Sequence, residues 1–196
     1  MEAVTPSRPR ATYRDLLALP EHVTAELIDG ELFVMPRPRV RHAAALSTMT
    51  ADVSAAFGRR RPRAGPGGWV ILVEPELHLG PRPDKLAPDL AGWRRERMPD
   101  ALGPEDAPAH YDLAPDWACE VLSPRTEATD RAKKMRIFRR EGVGHVWLVN
   151  PIERTLEVYR LEGGRYALLD TFEGEDVVRA EPFDAIELAL GLLWQG

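Results

Sequence analysis

Leu86-Ala87-Pro88-Asp89-Leu90-Ala91-Gly92-Trp93 (residues 86–93) is a short apolar run with one carboxylate inside it. Trp117-Ala118-Cys119-Glu120-Val121-Leu122 (residues 117–122) repeats the pattern around Glu120. Both runs have the length and composition of buried strands. Carboxylates are seldom buried unless they are paired or hold a metal. Each acid is therefore a metal ligand, a catalytic group or half of a buried ion pair. Just downstream, Asp130 and Lys134 stand four apart on a predicted helix and so share one face. An Asp, a Glu and a Lys at a sheet edge are the usual constellation for metal-assisted hydrolysis of a phosphodiester.

Outward from these runs the sequence predicts a helix over 127–141, ended by Gly142, and a strand over 144–149. That helix can serve as a right-handed crossover between parallel strands. Upstream, Asp29-Gly30 between two apolar stretches of 25–35 signals a hairpin. Ala45, Met49, Val53 and Phe57 recur at helical spacing over 41–57. A short helix fits 13–19, and Trp69 to Leu79 reads as one strand bent or bulged at Pro75. Residues 94–115 hold four prolines and many charges and read as a long surface loop. A second hairpin turns at Gly163-Gly164, 177–180 fits a short strand, and 183–194 fits a strand or short helix. The expected fold class is α+β (α/β-like), a mixed central sheet flanked by helices. The expected organisation is a disordered tail over 1–12 and a single domain over 13–196.

The chain has 196 residues, 44% hydrophobic and 29% charged, as soluble globular proteins have. Its net charge of -5 weighs against a non-specific nucleic-acid coat. It leaves room for a nuclease, in which a basic patch borders an acidic metal site. Cys119 is the sole cysteine, so no internal disulfide forms. The start lacks the apolar core of a signal peptide, and no apolar run approaches the roughly 18 residues of a membrane span. A cytoplasmic protein without a membrane partner is expected.

Two carboxylates from neighbouring strands suit Mg²⁺, which takes oxygen ligands and usually keeps several waters. Asp89 and Glu120 are the metal candidates, with Mn²⁺ as the alternative ion. Lys134 can orient a water and stabilise developing negative charge. It lies at the edge of an apolar stripe formed by Ala128, Ala132, Met135 and Phe138.

The ordered set Glu26-Leu27-Ile28-Asp29-Gly30-Glu31, Pro88-Asp89-Leu90, Glu120-Val121-Leu122-Ser123-Pro124, Asp130 with Lys134, Gly142-Val143 and Val146 to Pro151 resembles the Uma-two family. That family belongs to the restriction-endonuclease-like superfamily, whose signature is PD followed by (D/E)xK. The resemblance runs from about Tyr13 to the C-terminus. It implies a restriction-endonuclease-like sheet with flanking helices, metal-dependent nuclease chemistry and DNA as partner. By that match Asp89 and Glu120 are metal ligands, Lys134 is the signature lysine moved to the following helix, and Glu26 is an extra acidic residue. Leu122 stands where the ordinary strand motif has lysine, so Lys134 must replace it. Phe138 and Asn150 stand where Tyr and Asp are usual.

Plainer roles stand beside these. Asp89 fits a strand-end carboxylate in solvent, and Glu26 fits an acid that solubilises a hairpin. Asp130 and Lys134 fit a helix-surface ion pair, whose loss in Lys134→Ala would leave stability nearly unchanged. The run Arg59-Arg60-Arg61-Pro62-Arg63 fits a phosphate contact or a solvated face. His42, His78 and His145 show no metal spacing, and Cys119 fits a small core residue. The function expected is a Mg²⁺-dependent DNA endonuclease, with a homodimer as a permitted assembly. Its rivals are a nuclease-like binding module without turnover and a metal-dependent hydrolase of a small phosphorylated compound.

Overall fold

The computed structural model describes residues 10–20, 22–35, 39–58, 65–98 and 109–195. Residues 1–9 of the expected tail, the Arg59–Arg63 run and residues 99–108 of the expected loop lie outside the described residues. Among the described residues no helix is long and apolar enough to cross a membrane.

A six-stranded mixed sheet organises the chain. Its strands are β3 (Trp69–Val73), β6 (Leu90–Arg94), β7 (Trp117–Val121), β8 (His145–Asn150), β9 (Thr155–Glu162) and β10 (Arg165–Glu173). They lie in the order β10-β9-β8-β7-β6-β3. β7 and β8 are parallel, and the other neighbours are antiparallel. The parallel pair is joined by the expected helical crossover. It is built from α3 (Glu127–Thr129), a π-helical stretch (Asp130–Lys134) and α4 (Met135–Arg140).

Alternation along the strands assigns the two faces. Trp117, Cys119 and Val121 of β7 join one core with Ala45, Met49, Val53 and Phe57 of α2 (Val40–Phe57). Ala118 of β7, Ala91 and Trp93 of β6, and Val146 and Leu148 of β8 join the opposite core with Ile137 and Phe138 of α4. In the first core Phe183 packs against Phe57, Trp69, Trp117 and Trp147, with ring centroids 4.7, 4.9, 4.8 and 5.6 Å away. Gly92 lies there between two indoles; a Cβ on it would come within 3.1 Å of Trp117 and 3.2 Å of Trp69.

A second sheet of four short strands, in the order β2-β1-β5-β4, adds Ile28, Leu77, Leu79 and Leu86 to the opposite core. β1 (Ala25–Ile28) and β2 (Glu31–Val34) form the predicted hairpin. Asp29 and Gly30 both take positive φ, at 53° and 79°, as a two-residue hairpin turn demands. Ala11 N donates to Gly30 O at 2.7 Å, and Thr12 caps α1 (Tyr13–Leu17) in a reciprocal box with Asp15.

Two expectations are corrected here. Trp69 to Leu79 is not one strand. Glu74 takes φ 46°, Pro75 follows, and the chain passes from β3 in one sheet to β4 (Leu77–Leu79) in the other. Residues 86–93 are likewise divided. Leu86 ends β5 (Asp84–Leu86), which pairs with β4, and β6 starts at Leu90. Pro88 lacks the N–H a ladder needs, so the break falls there. At the C-terminus β11 (Val177–Val178) pairs with β12 (Leu188–Ala189), and a 3₁₀ turn (Leu190–Trp194) follows.

Candidate active site

Glu26, Asp89, Glu120, Asp130 and Lys134 line one cleft of about 640 Å³. Register explains the convergence. Glu120 has the parity of Ala118 on β7, and Glu26 has the parity of Ile28 on β1, so both point to the side of the sheet that α4 covers. Asp89 stands one residue before β6 and continues the row of Ala91 and Trp93. The two acids from the paired strands β6 and β7 therefore share a face.

Lys134 is the hub, and it is 1% exposed. Its Nζ lies 3.1 Å from Glu26 Oε1, 3.1 Å from Glu120 Oε2 and 3.2 Å from Asp130 Oδ1. The surface ion pair expected of Asp130 and Lys134 is thus a buried cluster, and the expectation of unchanged stability on removing Lys134 falls with it. The helix face is also corrected. Ala128 and Ala132 are exposed, while Asp130, Lys134, Ile137 and Phe138 point inward. Apolar spacing missed this face because half of it is charged and satisfied internally. Asp130 to Lys134 is a π-helical stretch, a geometry that recurs at functional sites.

Each acid is held by more than the lysine. Ala87 N donates to Glu26 Oε1 at 2.9 Å. Val121 N donates to Asp89 Oδ2 at 2.6 Å, and His42 Nε2 lies 3.1 Å from Asp89 Oδ1. His42 was passed over in the sequence because its neighbours offer no metal spacing. It reaches the site from the first turn of α2, and only the fold shows it.

Burial drives the titration of the cluster. It pushes the Glu120 carboxyl well above the usual range, opposed by Lys134 and reinforced by Asp130, Asp89 and Glu26. Burial likewise raises Glu26 and Asp130. On Lys134 burial favours the neutral amine, but the summed attraction of Glu120, Glu26, Asp130 and Asp89 overrides it and holds the ammonium. For His42 burial favours the neutral ring, and the hydrogen bond and charge of Asp89 outweigh it, so its pKa rises.

The donor set fits a hard divalent cation. Among the described residues, Glu26 Oε2 and Glu120 Oε1 are buried without a hydrogen-bond donor. Buried carboxylate oxygens without donors are costly unless a cation completes them. Asp89 and Glu120, with oxygen ligands only, match Mg²⁺ or Mn²⁺. The cleft wall carries both signs, from Glu74 and Glu76 and from Arg39, Lys85 and Arg125.

A mixed sheet with a parallel β7–β8 crossover, edged by acids and one lysine, is the restriction-endonuclease-like fold. The chain belongs to the Uma2 family, whose model, described as "Putative restriction endonuclease", matches residues 11–191. Among solved structures it is similar to one described as "a putative nuclease belonging to DUF820" from Anabaena variabilis ATCC 29413. The two are 24% identical, with a TM-score of 0.72, over 93% of this chain and 97% of that one. Among curated proteins, none matches the chain.

Proposed function

We propose that this protein is a Mg²⁺- or Mn²⁺-dependent endonuclease that hydrolyses phosphodiester bonds in DNA. The observation that carries the reading is the burial of Lys134 among Glu26, Glu120 and Asp130, in the cleft that also holds Asp89. Asp89 and Glu120 hold the ion in this reading. When bound, such an ion polarises a phosphoryl oxygen and lowers the pKa of a coordinated water. Lys134 donates a hydrogen bond that orients the attacking water and stabilises charge on the phosphoryl oxygens. Glu26 and Asp130 keep the ammonium charged and aimed. The hydrogen bond from Val121 N fixes Asp89 Oδ2 against β7, so Oδ1, which His42 Nε2 meets at 3.1 Å, has one direction.

One observation favours a second reading. A cleft of about 640 Å³ lies within the range that encloses small ligands. A metal-dependent hydrolase of a small phosphorylated compound fits that volume. The third reading, a binding module without turnover, has no comparable support, since both acids and the lysine are present.

The test is cleavage of supercoiled and single-stranded DNA, and of a small phosphodiester, with Mg²⁺ or Mn²⁺. Wild type is expected to cut DNA. Lys134→Ala is expected to lose about the 10²–10³-fold typical of removing one preorganised donor. Lys133→Ala removes the outward pair with Glu31, 2.8 Å apart, and the contact with the Phe33 ring, 4.3 Å from its centroid, and keeps wild-type activity. Turnover of the small diester without DNA cleavage supports the second reading. No turnover of any substrate refutes both hydrolase readings.

A further inference from the structure

We propose that Glu76, His78 and His110 form a separate metal site that takes zinc or a similar transition-metal ion. One ligand atom from each residue lies within 4.8 Å of the other two. None of the three belongs to the carboxylate cluster around Lys134, and the proposal does not rest on the nuclease reading.

The backbone builds this juxtaposition. Tyr111 forms a parallel bridge to Leu77 of β4. Its N–H donates to Glu76 O at 2.9 Å, and its carbonyl accepts from His78 N at 2.9 Å. These two main-chain bonds seat His110 beside Glu76 and His78, which are distant from it in sequence. His78 is the buried member, with its side chain 4% exposed; those of Glu76 and His110 are 42% and 37% exposed. An ion held here has a fixed inner ligand and two that face solvent, where ions and water arrive.

The surroundings choose the nitrogen. Lys85 Nζ contacts His78 Nδ1, and Nε2 is the nitrogen turned toward Glu76; binding an ion at Nε2 takes the Nδ1–H tautomer, so the Lys85 ammonium moves off Nδ1 when the ion enters. Tyr13 stands edge-on to the His78 ring at 5.1 Å, and its hydroxyl donates to Glu76 Oε1 at 3.4 Å. Such outer contacts fix the orientation of ligating side chains. Two imidazoles and one carboxylate select zinc and its transition-metal neighbours over Mg²⁺, which prefers oxygen alone. Asp112 Oδ1, 3.7 Å from His110 Nε2 and highly exposed, is within reach as a fourth ligand.

A second rearrangement is part of the proposal. The His78 and His110 rings are stacked, 3.5 Å apart and 11° from parallel. A metal lies in the plane of each imidazole it binds, so two stacked rings cannot share it. The more exposed His110 ring turns on binding, while His78 keeps its place. The bound ion would then tie residues 110–112 to β4, beside Glu76 in the cleft wall.

The experiment uses the full chain, stripped of metal and titrated with Zn²⁺ against a chromophoric chelator in excess Mg²⁺. Co²⁺ is titrated in parallel and followed by visible absorption. One Zn²⁺ per chain is expected, with a Co²⁺ band, and Glu120→Gln leaves both unchanged. His110→Ala, at a half-exposed position, is expected to weaken zinc binding beyond the roughly 10–100-fold that outer partners contribute. Glu76→Gln is expected to weaken it too. Three results overturn the proposal: no zinc uptake by wild type, wild-type affinity in His110→Ala, or loss of zinc in Glu120→Gln. The first leaves Lys85, His78 and Glu76 as a hydrogen-bonded chain only. The last puts the ion at the carboxylate cluster.

Discussion

Replacing Lys134 by methionine keeps most of the side-chain volume and removes the charge. The ammonium is 1% exposed and faces three carboxylates at 3.1, 3.1 and 3.2 Å. Removing one partner of a buried ion pair typically costs about 3–5 kcal/mol, because the other charge stays buried and unpaired. For a chain of this size that is a fall in Tm of roughly 6–20 °C. The pH dependence has a definite sign. Burial holds Glu120, Glu26 and Asp130 above their ordinary pKa values, and Lys134 opposes that rise. Without the lysine they rise further. The folded chain then binds protons that the unfolded chain releases, so stability is lost as pH climbs through the folded values. The deficit of Lys134→Met should be largest near pH ~8 and shrink toward pH ~5. Urea unfolding at both pH values, with chelator present, measures it. Adding Glu120→Gln to Lys134→Met should restore part of the loss at pH ~8, because one stranded charge goes. A deficit under about 1 kcal/mol that does not change with pH would show that the lysine is solvated and that the cluster does not exist in solution.

Mg²⁺ or Mn²⁺ should stabilise the wild type by mass action, about 2.7 kcal/mol at a hundredfold excess over Kd. Thermal scans should show the shift in wild type and not in Asp89→Asn or Glu120→Gln; no shift in wild type removes the hard-metal assignment. His42→Ala frees Asp89 Oδ1 from its 3.1 Å partner, and Mn²⁺ affinity measured by titration should fall about 10–100-fold. Gly92→Ala drives a Cβ to 3.1 Å from Trp117 and 3.2 Å from Trp69. Overpacking of that kind costs about 1–3 kcal/mol, read as a lowered urea midpoint at unchanged m.

The legible parts of the fold were those where one period or one turn signal dominates. Ala45, Met49, Val53 and Phe57 face the core from α2, Asp29-Gly30 turns the first hairpin, and β7 and β8 are parallel across the helical crossover. The second sheet was not legible. Its strands β4 and β5 have three residues each, too few to show alternation, and β4 follows β3 with only Glu74-Pro75-Glu76 between them. Proline and a positive φ can mark either a bulge or a change of sheet, and only long-range pairing of Leu27 with Lys85 decides it. The helix that carries Lys134 was legible as a helix but not in its phase. Hydrophobic spacing places apolar residues inside, and here Asp130 and Lys134 occupy inward positions because they neutralise each other and their neighbours.

The same neutralisation bears on what the cleft can bind. Four carboxylates, Glu26, Asp89, Glu120 and Asp130, stand against one buried ammonium. A phosphodiester brought to this cluster alone meets repulsion, and the lysine that could attract it is already engaged by three acids. A divalent cation reverses that balance. It satisfies the oxygens of Glu26 and Glu120 that lack donors and presents positive charge to the phosphate. Phosphate binding at this cluster is therefore conditional on the cation. A module that gripped DNA at the same carboxylate cluster without metal would need basic residues where this chain has acids. DNA binding measured by anisotropy should thus be weak in chelator and strengthen when Ca²⁺, a divalent ion with oxygen ligands, is added. Equal affinity with and without the ion would locate the DNA contact away from the carboxylate cluster, and the nuclease assignment of these residues would fall with it.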